Sequence, residues 1–257
     1  MREIKKLIVL ENKLISSNIY SMVLQSKGLA KISKPGQFIN LYCREGSRLL
    51  PRPISICEIN KLEDTIKLVY AVVGAGTKEF SNIKVGEKIE ALGPLGNGFI
   101  IEKDKTKNII VGGGIGVPPL LELAKNLNGE IEVYLGFRSK SILIEDFKKY
   151  GAKVHVATED GSEGFKGNVL ELMKKNNVNG SIIYSCGPKP MLKAVAKWAK
   201  KKNIPMQVSL EERMACGIGV CVGCVCKIKD KNQSDWQYKK VCKDGPVFWS
   251  DEVIWDE

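Results

Sequence analysis

Histidine is nearly absent from this chain: His155 is the only one in 257 residues. It lies inside a predicted strand and reads as structural, so the sequence offers no histidine acid–base pair. Long apolar runs are missing too. No stretch approaches the roughly 20 apolar residues that span a bilayer, and residues 1–11 form a charged, strand-like start without a signal-peptide core. These absences point to a soluble, cytoplasmic chain with no membrane partner. Acidic residues are outnumbered, 29 against 40 Lys and Arg, for a formal net charge of +11. Such an excess raises nucleic acid as a partner. Much of it, however, sits in Lys148 and Lys149, in Lys174 and Lys175, and in the triplet at 200–202, all at the last turns of predicted helices. Cations there complement the helix dipole, and no basic and aromatic stripe accompanies them. The charge therefore reads as solvated helix faces, with no nucleic-acid partner. Internal repeats and low-complexity tracts are also lacking.

The length suffices for one large domain or two small ones with an appendage. Residues 4–10, 19–25, 37–43, 53–59, 66–73 and 88–92 read as short strands separated by turns, the clearest being Pro35-Gly36, Gly46-Ser47 and Pro94-Leu95-Gly96. Short strands punctuated in this way predict an antiparallel β-barrel over residues 1–101. From Asn108 the rhythm changes. Strands at 108–111, 130–137, 153–158, 181–185 and 206–210 alternate with helices at 118–127, 143–150, 169–176 and 190–202. That alternation predicts a doubly wound parallel sheet over 102–210, followed by a small C-terminal domain at 211–257.

The C-terminal part carries the strongest chemical signal. Cys216, Cys221 and Cys224 form a Cys-x4-Cys-x2-Cys run, and Cys242 follows at a distance. This is the spacing of a plant-type [2Fe–2S] site, which needs four thiolates and backbone amides turned toward sulfur. Gly217, Gly219 and Gly223 suit a backbone that wraps an inorganic core at positive φ. A structural zinc also takes four cysteines, but zinc ribbons usually pair two short knuckles, and only one precedes the lone distal cysteine here. Cys226 alternates with Cys224 along a predicted strand at 225–228, which points it to the other face and marks it as a non-ligand. Eight cysteines in a chain of this length are sparse for a disulfide scaffold, and their clustering favours metal or redox chemistry. Cys43, Cys57 and Cys186 read as buried free thiols.

Two further signals concern phosphate. The strand at 108–111 opens into Gly112-Gly113-Gly114-Ile115-Gly116-Val117-Pro118-Pro119, a glycine-rich turn before an apolar helix. Glycines admit a pyrophosphate close to the backbone, although the spacing departs from Gly-x-Gly-x-x-Gly and a plain tight turn is the alternative. In the barrel half, Arg52-Pro53-Ile54-Ser55 opens a strand, with an arginine fork suited to phosphate and a serine suited to a ring nitrogen or hydroxyl. Taken alone, Arg52 is equally a surface ion-pair former. Gly74-Ala75-Gly76-Thr77 precedes a short helix predicted at 78–83, either an anion cradle or a glycine turn with Thr77 as N-cap.

The conjunction of these motifs with Cys186-Gly187-Pro188 resembles the ferredoxin-NADP reductase superfamily. Within it, the string Glu211-Glu212-Arg213-Met214-Ala215-Cys216-Gly217-Ile218-Gly219 and the terminal Val241-Cys242-Lys243-Asp244-Gly245-Pro246-Val247-Phe248 are similar to the electron-transfer subunits of class B dihydroorotate dehydrogenases. The resemblance covers essentially the whole chain. It implies that Arg52, Pro53, Ile54 and Ser55 meet the flavin and its phosphates, that Val69, Tyr70 and Ala71 border the flavin, and that Gly76 and Thr77 hold the FAD pyrophosphate. Gly112, Gly113, Gly114 and Gly116, with Cys186, Gly187 and Pro188, would seat NAD, and Cys216, Cys221, Cys224 and Cys242 would ligate the cluster. It further implies an FMN-containing catalytic partner that oxidises dihydroorotate, in a heterotetramer of two subunits of each kind. Electrons would pass through the cluster to FAD and as hydride to NAD. No catalytic side chain is implied, because the cofactors carry the chemistry. Glu159 and Asp160 suit a ribose, whereas Arg138 and Lys140 suit a 2′-phosphate, so the residues alone leave NAD against NADP open. Similar subunits serve sulfite reductases and NADH-dependent ferredoxin:NADP oxidoreductases. In the latter the position of Cys216 is typically aspartate.

Overall fold

In the computed structural model, which describes residues 3–44, 46, 48–230 and 235–255, two β-systems lie side by side with a cysteine-bearing segment against both. The first is a closed antiparallel barrel in the order β1-β2-β5-β4-β3-β6, built from β1 (Lys5–Ser16), β2 (Ile19–Gln25), β3 (Phe38–Tyr42), β4 (Arg52–Asn60), β5 (Thr65–Ala71) and β6 (Lys88–Leu95). Period-two alternation dictates its interior. Leu7 and Val9, Met22 and Leu24, Ile39 and Leu41, and Ile66 and Leu68 all turn into one core. Two short helices, α1 (Leu29–Ile32) and α2 (Ala75–Ser81), sit on its connections.

Two barrel strands outrun the sequence pattern. β1 pairs with β6 over residues 5–8 and with β2 from Ile8 as far as Ser16, through an irregularity between Val9 and Glu11. Its second half is polar and only partly buried, so hydrophobic alternation ends before the strand does. β6 continues through Pro94 to Leu95, and the chain turns only at Gly96, with φ +74°. Of the other expected turns, Pro35-Gly36 is present, with Gly36 at φ +86°, and the one at Gly46-Ser47 falls partly outside the described residues.

The second system is a seven-stranded sheet. It comprises β7 (Lys107–Gly113), β8 (Glu130–Phe137), β9 (Lys153–Thr158), β10 (Phe165–Lys166), β11 (Ile182–Cys186) and β12 (Met206–Ser209), all parallel. Helices α3 (Pro119–Asn126) and α4 (Ile144–Lys149) cover one face, while α5 (Val169–Lys175) and α6 (Lys189–Lys201) cover the other. β7 shows the sorting: Ile109 and Val111 face the α5 and α6 side, and Ile110 faces α3 and α4. The lysines at the ends of α4, α5 and α6 occupy last turns, as expected. Past β12, the segment forms the hairpin β13 (Val225–Lys229) and β14 (Trp236–Lys240). It then returns as β15 (Val247–Trp249), antiparallel to β12, to complete the sheet. Three residues are too few for the strand to declare itself by alternation.

Glu122 of α3 joins barrel to sheet. Its Oε2 accepts from the Ile59 amide of β4 at 2.7 Å and its Oε1 from Asn126 Nδ2 at 2.8 Å. Burial pushes its carboxyl pKa up, and these donors with Lys125 act against that shift. Among the described residues no helix is long and apolar enough to cross a membrane.

Candidate functional site

Three subsites follow from this architecture. In the barrel, the strand opening at Arg52 meets the first turn of α2. A Cβ built on Gly76 would lie 2.6 Å from Arg52 Nε, so the missing side chain is what admits the guanidinium to that turn. Arg52 Nη1 donates to Leu50 O at 2.5 Å. The helix begins three residues earlier than expected, with Gly74 rather than Thr77 as N-cap. Thr77, at the third helical position, accepts at Oγ1 from the amides of Val73 and Gly74 at 3.0 and 3.3 Å. A planar cation beside a glycine turn fits a diphosphate. Pro53 and Ser55 stand in register with Asn40 and Phe38 of β3, and Ile54 packs toward the barrel core. Among residues 69–71, Tyr70 commits its ring to the interior, stacked on Tyr20 at 6.0 Å and edge-on to Phe80 at 6.3 Å. Val69 packs against the sheet's α3 side, and Ala71 alone of the three is partly open.

The second subsite is a cleft of about 720 Å³ at the carboxyl ends of β7, β8 and β9, closed on one side by the barrel turn at 16–19. In strand order the sheet reverses direction between β7 and β11, the switch point where doubly wound sheets bind nucleotides. The two loops leaving these strands touch. A Cβ on Gly116 would fall 2.5 Å from Gly187 Cα, and one on Gly113 would fall 2.6 Å from Met191 Sδ and 2.9 Å from Pro188 Cδ. Gly113, Gly114 and Pro188 line the cleft, whereas Gly112, Gly116 and Cys186 are buried and do not. The Cys186 thiol is pushed up to about 12 by burial, against a bond from Ser209, and stays neutral. Arg138, Lys140 and Glu159 stand on the rim. Asp160 is spent on its own loop, its Oδ1 accepting from Ser162 N and Oγ at 2.9 and 2.7 Å. Ser16 to Ile19 and Met191 are lining residues that sequence reasoning missed. The only local hint was the tight polar Ser16-Ser17-Asn18 step between two strands.

The third subsite gathers the cysteines as two pairs. Cys216 and Cys221 place their sulfurs 3.3 Å apart, and the amides of Ile218 and Cys221 lie 3.5 and 3.4 Å from Cys216 Sγ. Cys224 and Cys242 are both buried, with the Cys242 amide 3.5 Å from Cys224 Sγ. Burial alone would raise the Cys216 thiol. Amide donors from Cys221, Ile218 and Val220 outweigh it and bring the thiol down to about 6. Burial and the adjacent Cys224 push Cys242 up to about 12. Two thiol pairs match the two-per-iron demand of a binuclear cluster. Of the three glycines expected to hug the cluster, Gly217 and Gly219 do have positive φ, but a Cβ on them would meet Asn40 and Lys243 respectively; Gly223 lacks positive φ. Those close approaches are to protein. Cys226 stands apart, half-buried on β13 in a groove with Leu210, Glu212 and Tyr238. Barrel side chains tie both cysteine turns down. Asn40 Nδ2 donates to Cys216 O at 3.1 Å, and Asn97 Nδ2 donates to Asp244 O at 2.9 Å.

Comparison with known proteins agrees with this geometry. Residues 211–254 match the iron-sulfur cluster binding domain of dihydroorotate dehydrogenase B. The chain is 44% identical over 255 residues to the dihydroorotate dehydrogenase B (NAD(+)) electron transfer subunit of Caldanaerobacter subterraneus subsp. tengcongensis, covering 99% of this chain and 100% of that one. It is 42% identical over 262 residues to the corresponding subunit of Bacillus cereus, with the same coverage. Among solved structures, a chain of the NADH-dependent reduced ferredoxin-NADP oxidoreductase superposes with a TM-score of 0.86 at 30% identity, over 97% of this chain and 90% of the other. The ferredoxin reductase of carbazole 1,9a-dioxygenase, at 18% identity and a TM-score of 0.67 over 80% and 69% of the two chains, shares the fold. With full-length relatives at this identity and a cluster-domain match over its cysteines, the chain belongs to the electron-transfer subunits of dihydroorotate dehydrogenase B (NAD(+)).

Proposed function

We propose that this chain collects electrons from the FMN of a dihydroorotate-oxidising catalytic subunit at its cysteine turn and delivers them to NAD at the sheet cleft, with FAD seated on the barrel between them. Family membership supplies FAD, a [2Fe–2S] cluster and NAD as the redox groups. When bound, these groups carry the one-electron and two-electron chemistry. The protein's own residues do the rest. Arg52, with the turn at Gly76 and Thr77, neutralises and orients the FAD diphosphate, while Pro53, Ile54, Ser55 and the edge at Val69, Tyr70 and Ala71 frame the flavin. Gly113, Gly114 and Pro188 seat the nicotinamide nucleotide, with Gly112, Gly116, Cys186 and Gly187 holding those loops in contact. Cys216 and Cys221 take one iron, and Cys224 and Cys242 the other. Functionally, the chain divides at 1–101, 102–210 and 211–257, although β15 ties the last part into the sheet of the second.

The observation that carries this reading is the paired cysteines bonded to the barrel while their own segment closes the nucleotide sheet, a contiguity that supports electron passage between the three proposed redox-binding surfaces. Around the cysteine turn, Ile218, Val220 and Val222 stay 42%, 78% and 70% exposed. An apolar rim beside a redox centre supports docking of the catalytic subunit there, in a heterotetramer of two of each subunit. Reconstitution with a dihydroorotate dehydrogenase catalytic chain tests the assignment. Dihydroorotate-dependent reduction of NAD by the pair is expected. A complex that forms but turns over only with sulfite or ferredoxin overturns it.

A further inference from the structure

We propose that Asn40 is a positioning residue that sets the cluster's redox behaviour from the barrel side. The outward face of β3 reads Phe38, Asn40, Tyr42, with Ile39 and Leu41 turned into the barrel core. Phe38 and Tyr42 pack with the core that contains Cys224 and Cys242, so Asn40 is the one amide side chain of a stripe laid against the cysteine segment. It is 0% exposed. Its Nδ2 holds the carbonyl of Cys216, 176 residues away, and its amide fills the space where Gly217 would carry a Cβ, at 2.5 to 2.6 Å. Gly217 sits at φ +66°, a conformation that orients the following amides of Ile218 and Cys221 at Cys216 Sγ. Hydrogen bonds to sulfur are among the protein's levers on cluster potential. Asn40 thus controls the turn that aims those donors.

Its backbone also stands in register with Pro53 on β4, and facing residues of an antiparallel pair share a face. The same side chain therefore lies between the strand proposed to carry the flavin and the first cysteine ligand. Asn40 Oδ1 has no partner within the protein, so the side chain is anchored to the cysteine turn through its nitrogen.

This inference rests on the cluster and flavin assignment, and the test separates the two. Wild-type chain, purified anaerobically, must first contain iron, labile sulfide and FAD; failure at that point is failure of the assignment. Asn40→Ala and the near-isosteric Asn40→Asp, which loses the donor, are then compared with Asn108→Ala. Asn108 is a matched control. It is also 0% exposed, also donates from Nδ2 to backbone carbonyls, those of Asn128 at 2.8 Å and Glu130 at 3.5 Å, and also keeps an unpartnered Oδ1, but it sits at the start of β7, away from the cysteines. The readouts are the EPR spectrum of the reduced cluster and its reduction equilibrium in a redox titration. Both Asn40 variants are expected to shift that equilibrium by about three- to tenfold, the weight of one hydrogen bond, and to alter the spectrum, with Asn108→Ala leaving both unmoved. If the Asn40 variants lose only thermal stability, as Asn108→Ala does, and the cluster's potential and spectrum are unchanged, the role is structural and the proposal falls. If Asn40→Ala does not fold, Asn40→Asp decides by the same criterion.

Discussion

At the nucleotide cleft, position is set by two loops closing on glycines: Gly116 rests on the Gly187 backbone, and Gly113 on the Pro188 and Met191 side chains, at the ends of parallel strands. Around the cysteines, position is set by side chains reaching in from elsewhere, Asn40 and Asn97 from the barrel side and Lys240 Nζ to Gly219 O at 2.7 Å. The first site needs no ligand to hold its shape, because sheet hydrogen bonds and helix packing fix both loops. The second has regular strands only at its margins. Metal–thiolate bonds would supply much of its cohesion, because ligand binding couples to folding in such segments.

Removing ligands is therefore the harshest way to break the comparison. Cys242→Ser is expected to abolish iron retention and visible absorbance while the sheet remains folded, whereas Cys226→Ser leaves iron content and spectrum nearly intact. Equal loss in both would place Cys226 among the ligands. Next in size is the backbone contact. Gly116→Ala drives a methyl group into Gly187, a strain of about 1 to 3 kcal/mol, so the KM for NAD should rise about ten- to hundredfold with iron and FAD content unchanged. An unaltered KM would remove the two-loop contact from nucleotide binding. At the joint between barrel and sheet, Glu122→Ala leaves the Ile59 amide without its buried acceptor and is expected to cost about 1 to 3 kcal/mol in thermal or denaturant unfolding. Glu122→Gln keeps an acceptor there and should cost less.

The smallest effect concerns His155, on β9 and not among the residues that line the cleft. It stacks on Tyr134 at 4.6 Å, and burial, then Lys153, lowers its pKa, with Glu132 opposing. A histidine with a depressed folded pKa binds fewer protons folded than unfolded. It therefore subtracts stability as pH falls below its ordinary value of about 6.5. Stability of His155→Gln should fall less than wild type between neutral pH and pH values below that point, as read by thermal melts. Identical pH slopes would assign no linkage to this group.

The same contrast explains what was readable in advance. The barrel and the sheet announced themselves because their cores impose periods: Ile109, Ile110 and Val111 alternate between two helical layers, and Ile39 and Leu41 turn into the barrel core while Phe38 of the same strand faces outward. The cysteine spacing was legible because cluster ligation is a local sequence constraint. β15 was not, because a three-residue strand is defined by its partner β12 rather than by its own pattern. The polar half of β1 was hidden for the same reason, being held by pairing with β2. Gly217 and Gly219 were correctly marked as unusual, yet the atoms that occupy their missing side chains belong to Asn40 and Lys243, which no reading of the local string could name.

The most direct test of the account is metal, sulfide and flavin analysis of the full-length chain purified without oxygen. The account predicts two irons and two acid-labile sulfides per chain, with one bound FAD and the matching visible absorbance. One zinc per chain with no iron and no flavin absorbance would contradict it.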